Sequence, residues 1–180
     1  MSEPWLVVID MQEVFADPSS EWATPGFATI VPAVRRLVQH FGERVVFTRF
    51  VAPTRPDGAW RAYYERFPWA LQPPNAPLYR LALDPGRRLV LDATTFGKWG
   101  PALEEMTGHA SSLVLAGVST DCCVLSTAVA AADAGVAVQV AADACAGASA
   151  ADHQRSLDAM RLYEPLITIT SVDEVLSSAQ

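Results

Sequence analysis

Residues 113–135 read LVLAGVSTDCCVLSTAVAAADAG, and the two halves of this stretch obey different rules. Leu113 to Ala116 is a continuous apolar run, the pattern of a strand buried on both faces, whereas Val124 to Ala134 is an alanine-rich helix former. Gly117 interrupts the run, and the helix is expected to begin close to Thr120 or Asp121. A buried strand passing directly into a helix is the unit from which helix-covered parallel sheets are built.

The same unit recurs on either side. Trp5 to Ile9, Val45 to Phe47, Leu89 to Leu91, Val136 to Val140 and Leu166 to Thr170 are further short apolar runs bounded by Gly, Pro or charge. Between them, Ile30, Val34, Leu37, Val38 and Phe41 recur at helical spacing, and Ala151 to Leu162 reads as another helix. A last short helix starts at Ser171, a good N-cap with Glu174 at the capping-box position. The alternation predicts one α/β domain over residues 1–180, a three-layer α/β/α sandwich with a mostly parallel sheet of about six strands. Pro68 to Pro77 reads as a rigid surface loop.

Composition narrows the function. The chain has 180 residues, 51% hydrophobic and 18% charged, a net charge of -7 and a pI near 4.8. That excess of acid argues against a nucleic-acid partner, whose binding is built on positive charge. No apolar stretch approaches the ~20 residues of a membrane span, and MSEPWLVVID lacks the basic start of a secretory signal. The three cysteines, two of them adjacent, do not form a disulfide framework, so a reducing cytoplasm is the expected home. Twelve of the 13 basic residues are Arg; Lys98 is the single lysine.

In an open α/β sheet, ligands bind beyond the carboxyl ends of the strands. Asp10, Arg49, Asp92 and the segment Gly117 to Cys123 occupy those positions. Cys122 and Cys123 both fall in the first turn of a helix, where the helix dipole is expected to lower a thiol pKa; both also suit plain packing. Asp10 is either a general base for such a thiol or a turn residue at the strand exit. Aromatic rings crowd the same end of the chain, and Phe15, Trp60 and Trp99, each expected in a loop beyond a strand, are the candidate substrate-binding residues. Arg49 and Arg61 either bind an anionic substrate group or pair with surface acids. His40, His109 and His153 are scattered and do not suggest a metal site.

These segments together resemble the isochorismatase-like cysteine hydrolases, the family of nicotinamidases, N-carbamoylsarcosine amidases, streptothricin hydrolase and isochorismatases. The resemblance rests on Asp10 and Gln12 after the first strand. It continues through Gly117, Val118, Thr120, Asp121, Cys123, Val124, Thr127 and Ala128, and then AVQVAADACAG followed by DHQRSLDAM, so that it spans nearly the whole chain. It implies a Rossmann-like sandwich with Cys123 as nucleophile, Cys122 as a packing residue and Asp10 as general base. It also implies a cis peptide between Val118 and Ser119, with the Ser119 and Cys123 amides as oxyanion donors. The family's lysine is the departure: its usual position holds Ala93, so Lys98, five residues later, is the candidate for that role. Nicotinamidases in the family carry an Asp/His cluster after the second strand, whereas FTRFVAPTRPDGAWRAYYERF contains no histidine, so no metal and no cofactor are expected.

The function this implies is hydrolysis of a C–N bond in a small amide, lactam or ureido compound through a thioester on Cys123. Ether or ester cleavage of the isochorismatase kind and a catalytically silent binding protein are the alternatives. The partners implied are a small-molecule substrate and further copies of the chain, as a homodimer or homotetramer.

Overall fold

The computed structural model describes residues 3–178; Met1, Ser2, Ala179 and Gln180, the ends of the domain expected over 1–180, lie outside the described residues. Six strands form one sheet: β1 (Trp5–Ile9), β2 (Val45–Phe50), β3 (Leu89–Ala93), β4 (Ser112–Val118), β5 (Ala137–Ala146) and β6 (Ile167–Thr170). Their order is β3-β2-β1-β4-β5-β6, with every neighbouring pair parallel.

The helices are α1 (Glu13–Ala16), α2 (Phe27–Phe41), α3 (Gly58–Arg66), α4 (Pro101–Met106), α5 (Leu125–Asp133), α6 (Ala150–Arg161) and α7 (Val172–Ser177). Alternation along the central strands divides the core into two layers. Leu6 and Val8 of β1, with Val114 and Ala116 of β4, pack with Ile30, Val34 and Leu37 of α2 and with Val172 and Val175 of α7. Val7, Ile9, Leu113 and Leu115 turn the other way, against Leu103 of α4, Ala128 and Ala131 of α5 and Leu157 and Met160 of α6. The expected three-layer sandwich is the observed one, and the capping box at Ser171 and Glu174 is formed.

Several strands run beyond their apolar cores. β2 extends to Phe50 and β3 to Ala93 because Arg49 and Asp92 stand opposite each other in register and form an ion pair, so the polar ends of both strands are satisfied. α3 is not among the expected elements, although Trp60, Tyr63, Tyr64 and Phe67 follow helical spacing. The segment Pro68 to Pro77 is more than a surface loop. It opens with a 3-10 turn at Pro68–Ala70 and leads into a second at Pro77–Tyr79, and Ala70 and Tyr79 are fully buried, the tyrosine hydroxyl donating to the Ala70 carbonyl. Among the described residues, no helix is long and apolar enough to cross a membrane.

The sheet order reverses direction between β1 and β4: β2 and β3 lie to one side, β5 and β6 to the other. That reversal opens the crevice where ligands bind in this architecture, and Asp10 and Gly117 to Cys123 lie at its mouth.

Candidate active site

Asp10 leaves β1 with φ +47°, a left-handed conformation that turns its carboxylate off the strand axis. The side chain is fully buried. Thr48 of β2 fixes it twice: its hydroxyl accepts from the Asp10 N–H at 3.2 Å and donates to Oδ1 at 2.6 Å. Gln12, also buried, accepts from Phe50 N–H at 2.7 Å and donates to the carbonyls of Phe50 and Tyr79. The Asp-x-Gln pattern thus places a charged group at the first position and a backbone anchor two residues on.

β4 ends against β1 at unusually short range. Gly117 pairs with Ile9, has φ +118°, and a Cβ there would lie 2.1 Å from the Ile9 carbonyl oxygen. The Val118–Ser119 peptide is cis. The chain then forms a π-helical turn, Thr120–Val124, before α5, so the helix starts where expected but with a wider first turn. Such turns concentrate at functional sites. Asp121 closes the turn: Oδ1 accepts from the Ser119 hydroxyl and from the Ala148 N–H at 2.8 Å, tying the turn to the loop after β5. Thr120 pairs through its hydroxyl with His153 Nδ1 at 2.8 Å, which gives that helix-start histidine a structural partner.

Lys98 arrives from the loop after β3, two strands from β1, or ~10 Å across the sheet. Its side chain is wholly buried, with Nζ 2.9 Å from Asp10 Oδ2 and donating to the Thr95 carbonyl at 2.8 Å. The ammonium also lies 5.1 Å from the centroid of the Phe50 ring. Ala93, at the position where relatives carry lysine, is the last residue of β3.

Cys123 is buried, and its thiol lies in the same electrostatic environment. The expectation that the helix start lowers its pKa does not hold. Burial pushes the Cys123 thiol well above its ordinary value, the Asp10 carboxylate adds to that, and Lys98 opposes it. A dipole effect of about 1 kcal/mol at a helix end is too small to offset removal of a thiolate from water. The resting thiol is therefore neutral, beside a buried carboxylate–ammonium pair.

The cavity over this group measures about 240 Å³, below the ~300 Å³ at the small end of ligand pockets. Cys122, Cys123, Ser119 and Asp121 line it on one side and Phe15, Trp22, Phe50, Tyr63, Phe67 and Phe96 on the other. Of the three expected substrate-binding residues, only Phe15 reaches it. Trp60 packs outside, tilted or edge-on against Phe50, Tyr63 and Phe96, and Trp99 packs with the opposite core layer around α5. Cys122 lines the cavity rather than serving as packing alone; burial and the Asp121 carboxylate push its thiol up to about 11. Arg49 bonds Asp92 and the Pro74 carbonyl and is not presented to the cavity. Nor does Arg61 line it. Tyr63 and Phe67 belong to the aromatic crowd visible in the sequence, and the helical spacing of α3 is the signal that singles them out. Trp22 shares with Phe15 the segment after the first strand, which marks it in the sequence; Phe50 and Phe96 come from a strand end and a separate loop, and nothing local marks them. A larger open groove of about 730 Å³, lined by Glu13, Asp17, Trp69 and Arg80 among others, holds none of the three central residues.

A model of the isochorismatase domain matches residues 4–174. The fold is similar to that of a cysteine hydrolase from Pseudomonas syringae pv. phaseolicola 1448A, with a TM-score of 0.85, 22% identity and full coverage of both chains. It is also similar to a pyrazinamidase of Pyrococcus horikoshii in complex with zinc, with a TM-score of 0.76 and 24% identity over 94% of this chain and 99% of that one. The nicotinamidase PncA from Bacillus subtilis gives a TM-score of 0.73 and 19% identity over 94% and 100% of the two chains. A comparison with curated proteins finds no match. The zinc of the Pyrococcus protein has no counterpart set of donors here: among the described residues, no group of three His, Cys, Asp or Glu stands close enough to hold a metal ion. His153 is committed to Thr120 and His109 pairs with Glu104, so the residues present do not fit such a metal.

Proposed function

The chain belongs to the isochorismatase family of hydrolases, and from that membership we propose that it cleaves the C–N bond of a small amide, lactam or ureido compound through a thioester on Cys123. The observation that carries the reading is the buried ion pair of Asp10 and Lys98, 2.9 Å apart, beside a cysteine in the wall of a small cavity. Burying a carboxylate and an ammonium costs several kcal/mol per ion before their attraction offsets it, so the pair is a poor way merely to stabilise a fold.

In the proposed cycle Asp10 takes the Cys123 proton as sulfur attacks the carbonyl carbon. The Ser119 and Cys123 amides hold the oxygen that becomes negative. The C–N bond then breaks and Asp10 passes its proton to the departing nitrogen. Water, deprotonated by the same carboxylate, attacks the thioester and releases the acid and the thiol. Lys98 keeps the carboxylate in place through both halves. The starting thiol is neutral, so Asp10 has to accept its proton for the sulfur to attack.

The cavity lining supports an uncharged or cationic substrate. Glu21 and Asp121 border it and no Arg, Lys or His does, so an anionic substrate meets only like charge. The free state of all three thiols supports a reducing compartment.

A panel of small amides, lactams and ureido compounds, assayed for released ammonia or amine, tests the proposal. An acyl adduct on Cys123 in quenched reactions and loss of turnover in Cys123→Ala are expected; near-normal turnover by that variant would sink it.

A further inference from the structure

We propose that Thr127 is a positioning residue that sets the Lys98 ammonium against Asp10 and Cys123 by tying the backbones of the lysine loop and the cysteine turn to one hydroxyl. The inference rests on the roles proposed above for those three residues.

Thr127 lies in α5, fully buried, one turn after Cys123. Its hydroxyl donates to the Cys123 carbonyl at 2.7 Å and accepts from the Lys98 backbone N–H at 3.0 Å. The directions are fixed by chemistry. An amide N–H only donates, so the hydroxyl must accept from Lys98 and has its single proton free for the carbonyl. The bond back to Cys123 is ordinary for a threonine in a helix, which often bonds the carbonyl four residues earlier. The bond to Lys98 is not local, joining segments 29 residues apart.

The neighbouring contacts show that the loop seats on α5 at this point. Gly97, just before Lys98, lies against Ser126, where a Cβ would sit 3.4 Å from the Ser126 carbonyl oxygen. Lys98 is therefore anchored at two ends: its backbone on Thr127, its ammonium on Thr95 and Asp10. This explains how a lysine rooted five residues beyond Ala93 reaches the carboxylate from a loop: α5, not β3, sets its root. Removing the hydroxyl orphans the Lys98 N–H and frees the loop, and a displacement of about 1 Å at a reacting group costs on the order of 100-fold in rate.

The test compares Thr127→Val, which keeps the shape and removes both bonds, with Thr127→Ser, which keeps the hydroxyl. Two readouts are taken: kcat and KM on an amide that the wild type hydrolyses, and the pH dependence of Cys123 alkylation by iodoacetamide. Thr127→Val is expected to lose about 10- to 100-fold in kcat with KM within about twofold, and Thr127→Ser to stay within about threefold of wild type. Alkylation of Thr127→Val should need higher pH, because Lys98 no longer favours the thiolate. In a Lys98→Met background the same substitution should not move the alkylation midpoint. Equal losses in Val and Ser, a loss confined to KM, an unmoved midpoint in the Thr127→Val chain, or a further shift without Lys98 overturns the proposal. If Thr127→Val does not fold, Thr127→Ala replaces it, removing the hydroxyl without setting a methyl against two polar groups. Alkylation needs no substrate, so a chain that hydrolyses none of the amides yet shows the Lys98-dependent shift would overturn the C–N reading and keep this one.

Discussion

Three groups surround the Lys98 ammonium: the Asp10 carboxylate, the Thr95 carbonyl and the face of Phe50. A compact ammonium fits that site; a planar guanidinium, with five donors in a fixed fork, does not, so the chain's abundant arginines are no substitute. Thr48 holds one carboxylate oxygen and Lys98 lies against the other, and without Lys98 that second oxygen is buried with no hydrogen-bond donor. Lys98→Met, which keeps the stem and removes the charge, should therefore lower turnover by about 10² to 10⁴ and destabilise the fold by about 3 to 5 kcal/mol. Adding Asp10→Asn should recover much of that stability and none of the activity. Urea unfolding and steady-state rates on the single and double variants check this; a single variant as stable as wild type would show that the pair does not contribute as argued.

At the scale of elements, legibility followed the regularity of the period. β1, α2, β4 and α5 were readable because each repeats one pattern over its length, and Asp10 and Cys123 followed because they sit where such elements end. The cavity wall was not, since Trp22, Phe50 and Phe96 meet only through tertiary packing, with Trp22 and Phe50 centroids 5.7 Å apart and Phe50 and Phe96 5.6 Å apart. Trp99 shows the limit most clearly: it follows Lys98 directly, yet packs into the other core layer. The Cys123 thiol departs from the expected lowered pKa because a helix start is visible in sequence and burial is not. The junction of β1 and β4 sets Asp10 against the cysteine turn, and it depends on a missing side chain. Gly117→Ala would set a Cβ 2.1 Å from the Ile9 carbonyl oxygen at a φ that L-residues rarely adopt. Strain and overpacking together predict a loss of about 3 kcal/mol or more. Thermal melting reads it directly, and a shift of under a degree would mean that β1 and β4 can separate at no cost.

For the molecule as a whole, the burial that keeps Cys123 neutral is shared by a thiol with no part in the proposed chemistry, and that makes alkaline pH a general test of it. Cys145 on β5 is buried, and burial is the main cause that pushes its thiol up to about 12, with Asp143 adding to it and a backbone bond opposing. An unfolded cysteine ionises near pH 8.5, so above that pH the unfolded chain gives up a proton that the folded one keeps. Fewer protons bound in the unfolded state means that unfolding becomes easier as pH rises. The contribution is complete below about pH 8.5 and declines by about 1.4 kcal/mol per pH unit up to the folded value. Urea unfolding at about pH 8 and about pH 10 should thus differ by roughly 2 kcal/mol on account of Cys145 alone. Cys145→Ala should start lower, because it leaves a small void, and lose less between the two conditions by that amount. Cys123 adds to the same slope with the same sign, since its folded value is also raised. If the wild type and Cys145→Ala lose stability in parallel, the folded thiol ionises as freely as the unfolded one, and the neutral resting state argued for Cys123 loses its physical basis too.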